Sequence, residues 1–213
     1  PVVSGNVSFY NETEGKGIHP TPTIGMVGIV EDAGLAMHSF FSREGDVVVL
    51  LGDMGEELGG SEYLFQFHHR EAGAPPRLDL AREEAVQYAC IEAIGEGLIS
   101  SAHDCAEGGI AVALAECCFH PDAPVGAEIK LPAGSRMDAL LFGETQSRIL
   151  VSLPKAGLGK LEAICRERDV PFQVLGSVGG NRLKIAVGSE VAIHAAVSEL
   201  RRPWSEALPT WMV

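Results

Sequence analysis

The feature that most constrains this chain is the segment 103–118, HDCAEGGIAVALAECC, in which a short polar stretch leads through a glycine pair into small apolar residues. Gly108 and Gly109 permit a tight backbone turn ahead of a helix. Residues 110–118 are apolar on nearly every face of that helix, with Glu116 as the exception. A helix without a polar face must be covered on both flanks, so we expect the other elements to pack around it.

The polar residues ahead of this helix support two interpretations. In the structural one, Asp104 caps the helix, Glu107 favours the positive end of the helix dipole, and His103 is a satisfied surface group. In the functional one, the glycine-opened helix start binds an anion such as phosphate, and the nearby carboxylates take up a metal ion. The pattern DxxxGG alone does not decide between them.

Composition indicates the class of protein. The chain has 213 residues, of which 46% are hydrophobic, enough for a buried core in one domain or two small ones. No apolar run approaches the roughly 20 residues that span a bilayer, and the first residues lack the basic and apolar regions of a signal peptide. We therefore expect a soluble, globular, cytoplasmic protein that does not bind membranes.

The net charge of the chain argues against nucleic-acid binding. A formal net charge of −13 repels phosphodiester backbones, so nucleic-acid binding is not expected. An acidic chain can still bind nucleotides when magnesium and main-chain N–H groups balance the phosphate charge.

The five cysteines form an odd set without CxxC spacing, which favours reduced core packing over disulfides, a zinc site or a nucleophile. They are Cys90, Cys105, Cys117, Cys118 and Cys165.

Helical and strand-like patterns alternate along the chain, which predicts an α/β or α+β fold. Strands are predicted at 4–11, 24–30, 47–52, 98–102, 126–131, 148–153, 171–177 and 183–187, the last two joined as a hairpin by the turn 178–181. Helices are predicted after the glycine pair 59–60, after a capping Asp79, and at 110–118, 135–142, 158–168 and 191–200. The stretch 12–17 is expected to be unstructured. A boundary near residue 45 divides the chain into 1–45 and 46–213.

Three stretches carry residues suited to chemistry. In the first, Gly5 allows a phosphate to approach a main-chain N–H, Asn6 offers a neutral oxygen to magnesium, and Ser8 can donate to a substrate. In the second, 142–148, a carboxylate, an amide and a guanidinium crowd a glycine turn. These groups are the side chains of Glu144, Gln146 and Arg148. The third stretch is 103–109, ahead of the buried helix. The structural alternatives are a polar strand edge for the first and a helix end with surface polar groups for the second.

Six segments in order resemble the C-terminal portion of the large subunit of phosphoribosylformylglycinamidine synthase. They are SGNVSFYNET, PTPTIGMVGIVED, VVVLLGD, GGSEY, HDCAEGGIAVALAE and LFGETQSRILVS, and the resemblance covers nearly the whole chain. This family is built as two tandem copies of an N-terminal plus a C-terminal unit, as also seen in aminoimidazole ribonucleotide synthetase. The resemblance implies that 1–45 ends the second N-terminal-like, ATP-binding unit. It also implies that 46–213 is the second C-terminal-like unit, a mixed sheet covered by helices.

The resemblance implies an ATP-dependent carbon–nitrogen ligase of de novo purine biosynthesis. In that reaction the formamide oxygen of formylglycinamide ribonucleotide is phosphorylated, and ammonia derived from glutamine displaces the phosphate to leave an amidine. ATP and Mg²⁺ are the implied cofactors. The implied partners are the remaining N-terminal part of the same enzyme, a glutaminase subunit and a small accessory subunit. The stretch SGNVSFYN disfavours the related selenophosphate synthetases and thiamine monophosphate kinases.

The resemblance also implies roles for particular residues. The family pattern puts Gly5 at ATP, Asn6 on magnesium and Ser8 on the substrate. The catalytic histidine of the family belongs to its first half, and no motif around the seven histidines here matches it. We therefore assign no catalytic acid or base, and we expect the isolated chain to be inactive.

The segment 144–146, Glu-Thr-Gln, duplicates the substrate-contacting Glu-Ser-Gln of the family's first half. In the family the duplicated site is a non-catalytic nucleotide site, so 144–146 and Asp104 are expected to be structural. This leaves an alternative function, in which the chain is a non-catalytic half that holds an auxiliary nucleotide and docks the glutaminase.

Overall fold

The computed structural model describes residues 1–7, 11–19, 21–133 and 136–212. The chain divides into two compact units, Pro1–Ala33 and Gly34–Val213. The assignment of 1–45 and 46–213 to an N-terminal-like and a C-terminal-like unit of the family stays a prediction.

The first unit contains a short hairpin where the sequence analysis expected no structure. Strand β1 (Glu12–Thr13) pairs antiparallel with β2 (Lys16–Gly17). The two turn residues, Glu14 and Gly15, have positive φ angles of 52° and 73°. Two successive positive φ angles are what a two-residue type I′ turn requires, and glycine adopts them without strain. The prediction of an unstructured stretch was therefore wrong.

Among the described residues of the strands predicted at 4–11 and 24–30, none forms a strand. Residues 4–7 and 24–30 have no regular secondary structure, and 8–10 lie outside the described residues. The apolar side chains of the second stretch are exposed: Ile24 by 84%, Met26 by 92%, Val27 by 102% and Ile29 by 91%. An apolar sequence becomes a strand only where a neighbouring strand takes up its main-chain hydrogen bonds. Within the described part of this unit, the hairpin alone shows strand pairing.

The second unit is a seven-stranded mixed sheet between two layers of helices, which confirms the predicted fold class. Its strands are β3 (Val47–Leu51), β4 (Ser101–Asp104), β5 (Ala127–Leu131), β6 (Ile149–Leu153), β7 (Phe172–Val178), β8 (Arg182–Val187) and β9 (Glu190–Ala196). They lie in the order β4-β6-β3-β7-β5-β8-β9. Neighbouring strands are antiparallel except for β5 and β8, which are parallel.

The helices cover both faces of this sheet. They are α1 (Glu62–His68), α2 (Leu80–Gly95), α3 (Gly109–Cys117), α4 (Met137–Phe142), α5 (Leu158–Glu167) and α6 (Val197–Trp211). Residues of α3, α4 and α6 share one core with Val48 and Leu50, and residues of α2 and α5 share the other with Val49 and Leu51. Successive strand residues face opposite sides, so the all-apolar β3 is buried on both, as predicted. Across the described ranges no helix is long and apolar enough to cross a membrane.

Helix α3 is buried, as its sequence predicted. Ile110 and Leu114 are fully buried, and Ala113 is 2% exposed. Val112, which is 36% exposed, is the most open position of the helix. The helix contacts α4 and α6, and residues of the three helices share one core. The expectation that other elements pack around this segment is therefore confirmed.

Two predicted helix starts are confirmed and one is displaced. Asp79 caps α2, because its Oδ1 accepts hydrogen bonds from the N–H groups of Ala81 and Arg82 at 3.0 and 3.1 Å. The glycine pair 59–60 leads into α1, which Ser61 caps through Leu64 N–H at 3.3 Å. Helix α4 begins at Met137, later than the predicted position 135, which lies outside the described residues.

The predicted hairpin of β7 and β8 is wrong, because β5 lies between them. The connecting turn does contain Gly180 with a positive φ of 70°. Its main chain, however, bonds to the residue ahead of β5. Gly126 N–H donates to Gly180 O, and Gly179 N–H donates to Gly126 O, each at 2.8 Å. A strand from an earlier part of the chain has thus been inserted between two successive ones.

The helix predicted at 191–200 is also wrong in its first part. Residues Glu190–Ala196 form β9, which pairs with β8 as the real hairpin at this end of the sheet. Gly188, with a φ of 59°, lies in the turn between them. The helix begins only at Val197. The pairing of β9 with β8 outweighs the helical preference of the alanines in β9, because it satisfies the main-chain hydrogen bonds of β9 at the edge of the sheet.

Candidate functional site

Two of the three candidate stretches meet in one pocket of about 400 Å³ in the second unit. They come together because β4 and β6 pair antiparallel, with Asp104 opposite Ile149, so the end of β4 lies beside the start of β6. The stretch 103–109 contributes Asp104, Cys105, Ala106 and Glu107 to the lining, and 142–148 contributes Glu144, Gln146, Ser147 and Arg148. The strand that was predicted at 98–102 is displaced to Ser101–Asp104, which brings Asp104 to this edge.

Helix α2 closes the pocket with residues that the sequence analysis did not single out. Glu83 and Gln87 line it. The Oε2 of Glu83 accepts a hydrogen bond from Ser147 Oγ at 2.6 Å, across 64 residues of sequence. Ser147 has a φ of 60°, in the left-handed region that a residue other than glycine rarely adopts. The contact spans too much sequence for any local pattern to have revealed it.

Glu144 occupies the start of the buried helix. Its Oε1 accepts hydrogen bonds from the N–H groups of Gly108 and Glu62, each at 2.9 Å. Gly108 is the N-cap residue of α3, and no side chain at that position caps the helix. The interpretation of Asp104 as the cap was therefore wrong, because Asp104 belongs to β4. An anion does lie at this helix start, and it is a carboxylate of the same chain.

The glycine pair makes this approach possible. Gly108 and Gly109 have φ angles of 79° and 66°. A Cβ added to Gly109 would lie 2.5 Å from Gly143 O, far inside contact distance. The predicted tight turn is confirmed, and it brings the start of α3 against the end of α4. Glu144 follows that end directly, so its side chain reaches the Gly108 N–H.

Arg148 is the only cationic side chain among the residues that line this pocket. It is 2% exposed. Its Nε donates to Thr145 O and its Nη2 to Gly143 O, both at 2.7 Å. Its Nη1 is buried and has no hydrogen-bond partner within the described ranges. Burial lowers the pKa of the guanidinium, while Cys105, Glu57 and Glu144 act in the opposite direction.

His103 does not line the pocket. Its Nε2 lies 3.3 Å from Glu116 Oε2 on α3, and its Nδ1 lies 2.6 Å from Asp104 O. Glu116 Oε1 in turn accepts a hydrogen bond from Trp204 Nε1 of α6 at 3.2 Å. The histidine therefore has polar partners, as the structural interpretation expected, although its side chain is only 15% exposed.

Among the described residues, the pocket contains neither a reactive thiol nor a cluster of side chains arranged to bind a metal ion. All five cysteines are free and buried, as predicted. Burial raises the pKa of Cys105, in the pocket lining, to about 12, so its nucleophilic thiolate is scarce at neutral pH. Within the described part of the chain, no group of three or more His, Cys, Asp and Glu side chains is arranged to hold a metal ion.

The remaining candidate stretch belongs to the first unit. Gly5 and Asn6 are exposed there, and Ser8 lies outside the described residues. Among the described residues other than its two chain neighbours, no heavy atom lies within 4 Å of a Cβ added at Gly5. The roles of Gly5, Asn6 and Ser8 stay predictions.

Comparison with known proteins establishes the family. Residues 43–188 match the family described as AIR synthase related protein, C-terminal domain. The chain belongs to this family. The resemblance inferred from the six sequence segments is thereby confirmed.

Curated relatives in this family are much longer. The phosphoribosylformylglycinamidine synthase subunit PurL of Anaeromyxobacter sp. (strain Fw109-5) is 51% identical over 217 residues, which cover 98% of this chain and 28% of the relative. The same subunit of Moorella thermoacetica is 45% identical over 212 residues, covering 100% of this chain and 29% of the relative. The chain thus spans less than a third of these relatives, and it matches their C-terminal part.

Solved structures share the fold. T. maritima PurL complexed with FGAR superposes with a TM-score of 0.67 at 20% identity, over 79% of this chain and 30% of that one. T. maritima PurL complexed with ATP gives a TM-score of 0.63 at the same identity, over 79% of this chain and 27% of that one. At this identity the likeness establishes the architecture of the sheet and its helices.

Proposed function

We propose that the chain is the C-terminal part of an ATP-dependent carbon–nitrogen ligase of de novo purine biosynthesis, phosphoribosylformylglycinamidine synthase. The reaction converts formylglycinamide ribonucleotide, ammonia from glutamine and ATP into formylglycinamidine ribonucleotide. The observation that carries this proposal is the 51% identity over 98% of the chain to a synthase subunit. The fold supports it, because solved structures of PurL superpose on the chain with TM-scores up to 0.67.

Within that reaction, Gly5 is the ATP contact, Asn6 the magnesium ligand and Ser8 the substrate contact. Gly5 suits a phosphate contact because, among the described residues beyond its chain neighbours, no heavy atom lies within 4 Å of a Cβ added there. Asn6 suits magnesium because an amide oxygen adds no further negative charge to a chain of net charge −13. Mg²⁺ commonly takes few protein ligands and completes its shell with phosphate oxygens and water, so one amide is a fitting contribution. The ion offsets charge on the transferring phosphoryl group.

The partners of such a part are the remaining N-terminal part of the same enzyme, a glutaminase subunit and a small accessory subunit. The solved structure of PurLQS from Thermotoga maritima, 20% identical to this chain, shares its fold with a TM-score of 0.61. A cytoplasmic location is part of the proposal, and five buried free cysteines are in keeping with a reducing compartment.

The alternative function makes this chain a non-catalytic half with an auxiliary nucleotide and a docking surface for the glutaminase. The pocket of about 400 Å³ is the observation that favours it, since Glu144 and Gln146 of the duplicated segment line it together with residues 104–107. Titration of the chain with Mg²⁺ and ADP distinguishes this alternative. Saturable binding that shifts the Gln146 side-chain NMR signals supports an auxiliary nucleotide, and unchanged signals argue against it.

The direct test of the proposed site uses Asn6→Ala in a chimera whose C-terminal part is this chain and whose preceding part comes from the Anaeromyxobacter subunit. Loss of one magnesium ligand should lower activity by about tenfold or more, or about 1.4 kcal/mol per factor of ten. Raising magnesium should restore part of the loss. Asn11→Ala, beyond the motif, is the control and should stay near wild type. Full activity of Asn6→Ala at limiting magnesium would refute the metal role.

A further inference from the structure

The stretch 24–30, IGMVGIV, presents an exposed apolar surface in the first unit. The side chains of Ile24, Met26, Val27 and Ile29 are exposed by 84%, 92%, 102% and 91%. Single exposed apolar side chains are common in soluble proteins, whereas a contiguous run of them marks an interaction surface. This run therefore indicates a surface that a partner covers in the assembled protein.

The main chain of the stretch is open as well. Among the described residues, no hydrogen bond is made by an N–H or C=O group of 24–30. The strand pairing described in this unit lies elsewhere, in the hairpin at 12–17. Unpaired main-chain groups along an apolar stretch of strand-like sequence are a template for pairing with another strand. The mode of association that fits is the addition of a strand to a sheet.

The sequence of the stretch indicates what kind of partner fits it. In an extended conformation, Ile24, Met26 and Val30 face one side of the strand. Val27 and Ile29 face the other side, so both faces are apolar. That pattern is typical of a strand inside a sheet whose two faces are both covered. A short peptide would cover one edge and neither face, so the partner has to be a folded domain that supplies a sheet edge and packed layers.

Charge and length identify this domain. A second copy would bring another net charge of −13 against the first, which opposes self-association. This chain spans only 28% of a synthase subunit that is 51% identical to it, and it matches the C-terminal part of that subunit. In the subunit, the rest of the polypeptide lies ahead of the segment that corresponds to residues 1–33. It is therefore close in sequence to the counterpart of 24–30.

We infer that 24–30 is a strand-addition surface, which becomes an inner strand of a sheet supplied by the preceding part of the same enzyme. The inference rests on the proposed function, because that function supplies the preceding part. Main-chain hydrogen bonds to neighbouring strands and burial of the apolar side chains on both faces hold the surface in place. The strand that the sequence predicts at 24–30 then forms only when that part is present.

The test is hydrogen–deuterium exchange, followed by mass spectrometry, of the isolated chain and of a chimera in which the preceding part of the Anaeromyxobacter subunit is joined to it. The peptide containing 24–30 should exchange at least about a hundredfold more slowly in the chimera than in the isolated chain. The buried helix Gly109–Cys117 should be protected in both, which reports that each protein is folded. If the fusion does not fold, the truncated subunit is added to the isolated chain instead.

One substitution separates a covered strand from an exposed segment. Val27 is 102% exposed, so Val27→Asp should leave the thermal midpoint of the isolated chain unchanged. In the chimera the same carboxylate would be buried between strands, and exchange of 24–30 should speed up by at least about tenfold. Ala33→Asp is the matched control, because it adds the same charge at an exposed residue beyond the stretch and should change neither measurement.

Equal exchange of 24–30 in the two folded proteins overturns the inference, and so does a chimera that is insensitive to Val27→Asp. Protection that appears in the isolated chain as its concentration rises identifies a second copy as the partner and also overturns it. The same holds if the chimera is protected only after a glutaminase subunit is added. The measurement does not depend on turnover. A chimera that protects 24–30 without forming amidine supports this inference against the ligase function, and an active chimera without protection does the reverse.

Discussion

The carboxylate of Glu144 accepts a hydrogen bond from the main-chain N–H of Gly108 at 2.9 Å, across 36 residues of sequence. This contact ties the segment after α4 to the start of the buried helix. The same oxygen reaches Glu62 N–H, so the starts of α1 and α3 share one acceptor. Two glycine-pair helix starts, at 59–60 and 108–109, are thereby joined through a single side chain.

Glu144→Ala should therefore destabilise the chain even in the absence of any ligand. Two main-chain N–H groups lose their acceptor, and a cost of about 1–3 kcal/mol is expected. Urea unfolding followed by circular dichroism measures it. Gln146→Ala is the control, since its side chain is exposed and its amide donates to Glu144 O, and it should cost less than about 0.5 kcal/mol. An unchanged midpoint for Glu144→Ala would show that the shared acceptor does not contribute to stability.

Ala113→Glu tests the burial of α3. Ala113 is 2% exposed, so the new carboxylate would be buried without a partner, at a cost of about 3 kcal/mol or more. The same substitution at neighbouring Val112, which is 36% exposed, should cost markedly less. Thermal unfolding of both variants provides the comparison. Equal midpoints would mean that the two positions are equally open to solvent.

The five cysteines should be unreactive in the folded chain. Each is buried, and burial raises the pKa of Cys90 and Cys165 to about 11 and of Cys105 and Cys118 to about 12. A thiol-specific chromogenic reagent at pH 8 should label none of them quickly, and it should label all five in urea. Rapid labelling of the native chain would contradict the buried arrangement.

The same raised pKa values make stability fall in alkali. In the unfolded chain a thiol loses its proton near pH 9, whereas in the folded chain Cys90 and Cys165 keep theirs to about pH 11. The unfolded state then binds fewer protons, so the unfolding free energy decreases with rising pH between about 9 and 11. The expected slope is about 1.4 kcal/mol per pH unit for each such thiol. Cys165→Ala should reduce that slope, and an identical slope in the variant would exclude a contribution from this thiol.

Local sequence patterns correctly predicted the secondary-structure elements that depend on neighbouring residues alone. The all-apolar β3 had to be buried on both faces, Asp79 had to precede a helix, and the residues of α3 left no polar face. The glycine pair 108–109 was correctly expected to turn tightly and bring the helix start close to another group. That group could not be identified, because Glu144 reaches it from a separate element.

Pairing across long stretches of sequence is what the patterns could not predict. The turn 178–181 is typical of a hairpin, yet β5 inserts between β7 and β8. Nothing local to either strand encodes a third partner. Likewise Glu83 reaches Ser147 from another helix, and the apolar stretch 24–30 has no strand beside it in the described part of its unit.

The enzymatic activity of the chimera is the most direct test of the proposed ligase function. This chain, joined to the preceding part of the Anaeromyxobacter subunit, is assayed with ATP, magnesium, ammonia and formylglycinamide ribonucleotide, beside the isolated chain and the truncated subunit. The proposed function predicts amidine formation by the chimera, and none by the isolated chain or by the truncated subunit. A folded chimera without turnover, or turnover by the isolated chain above background, would contradict it.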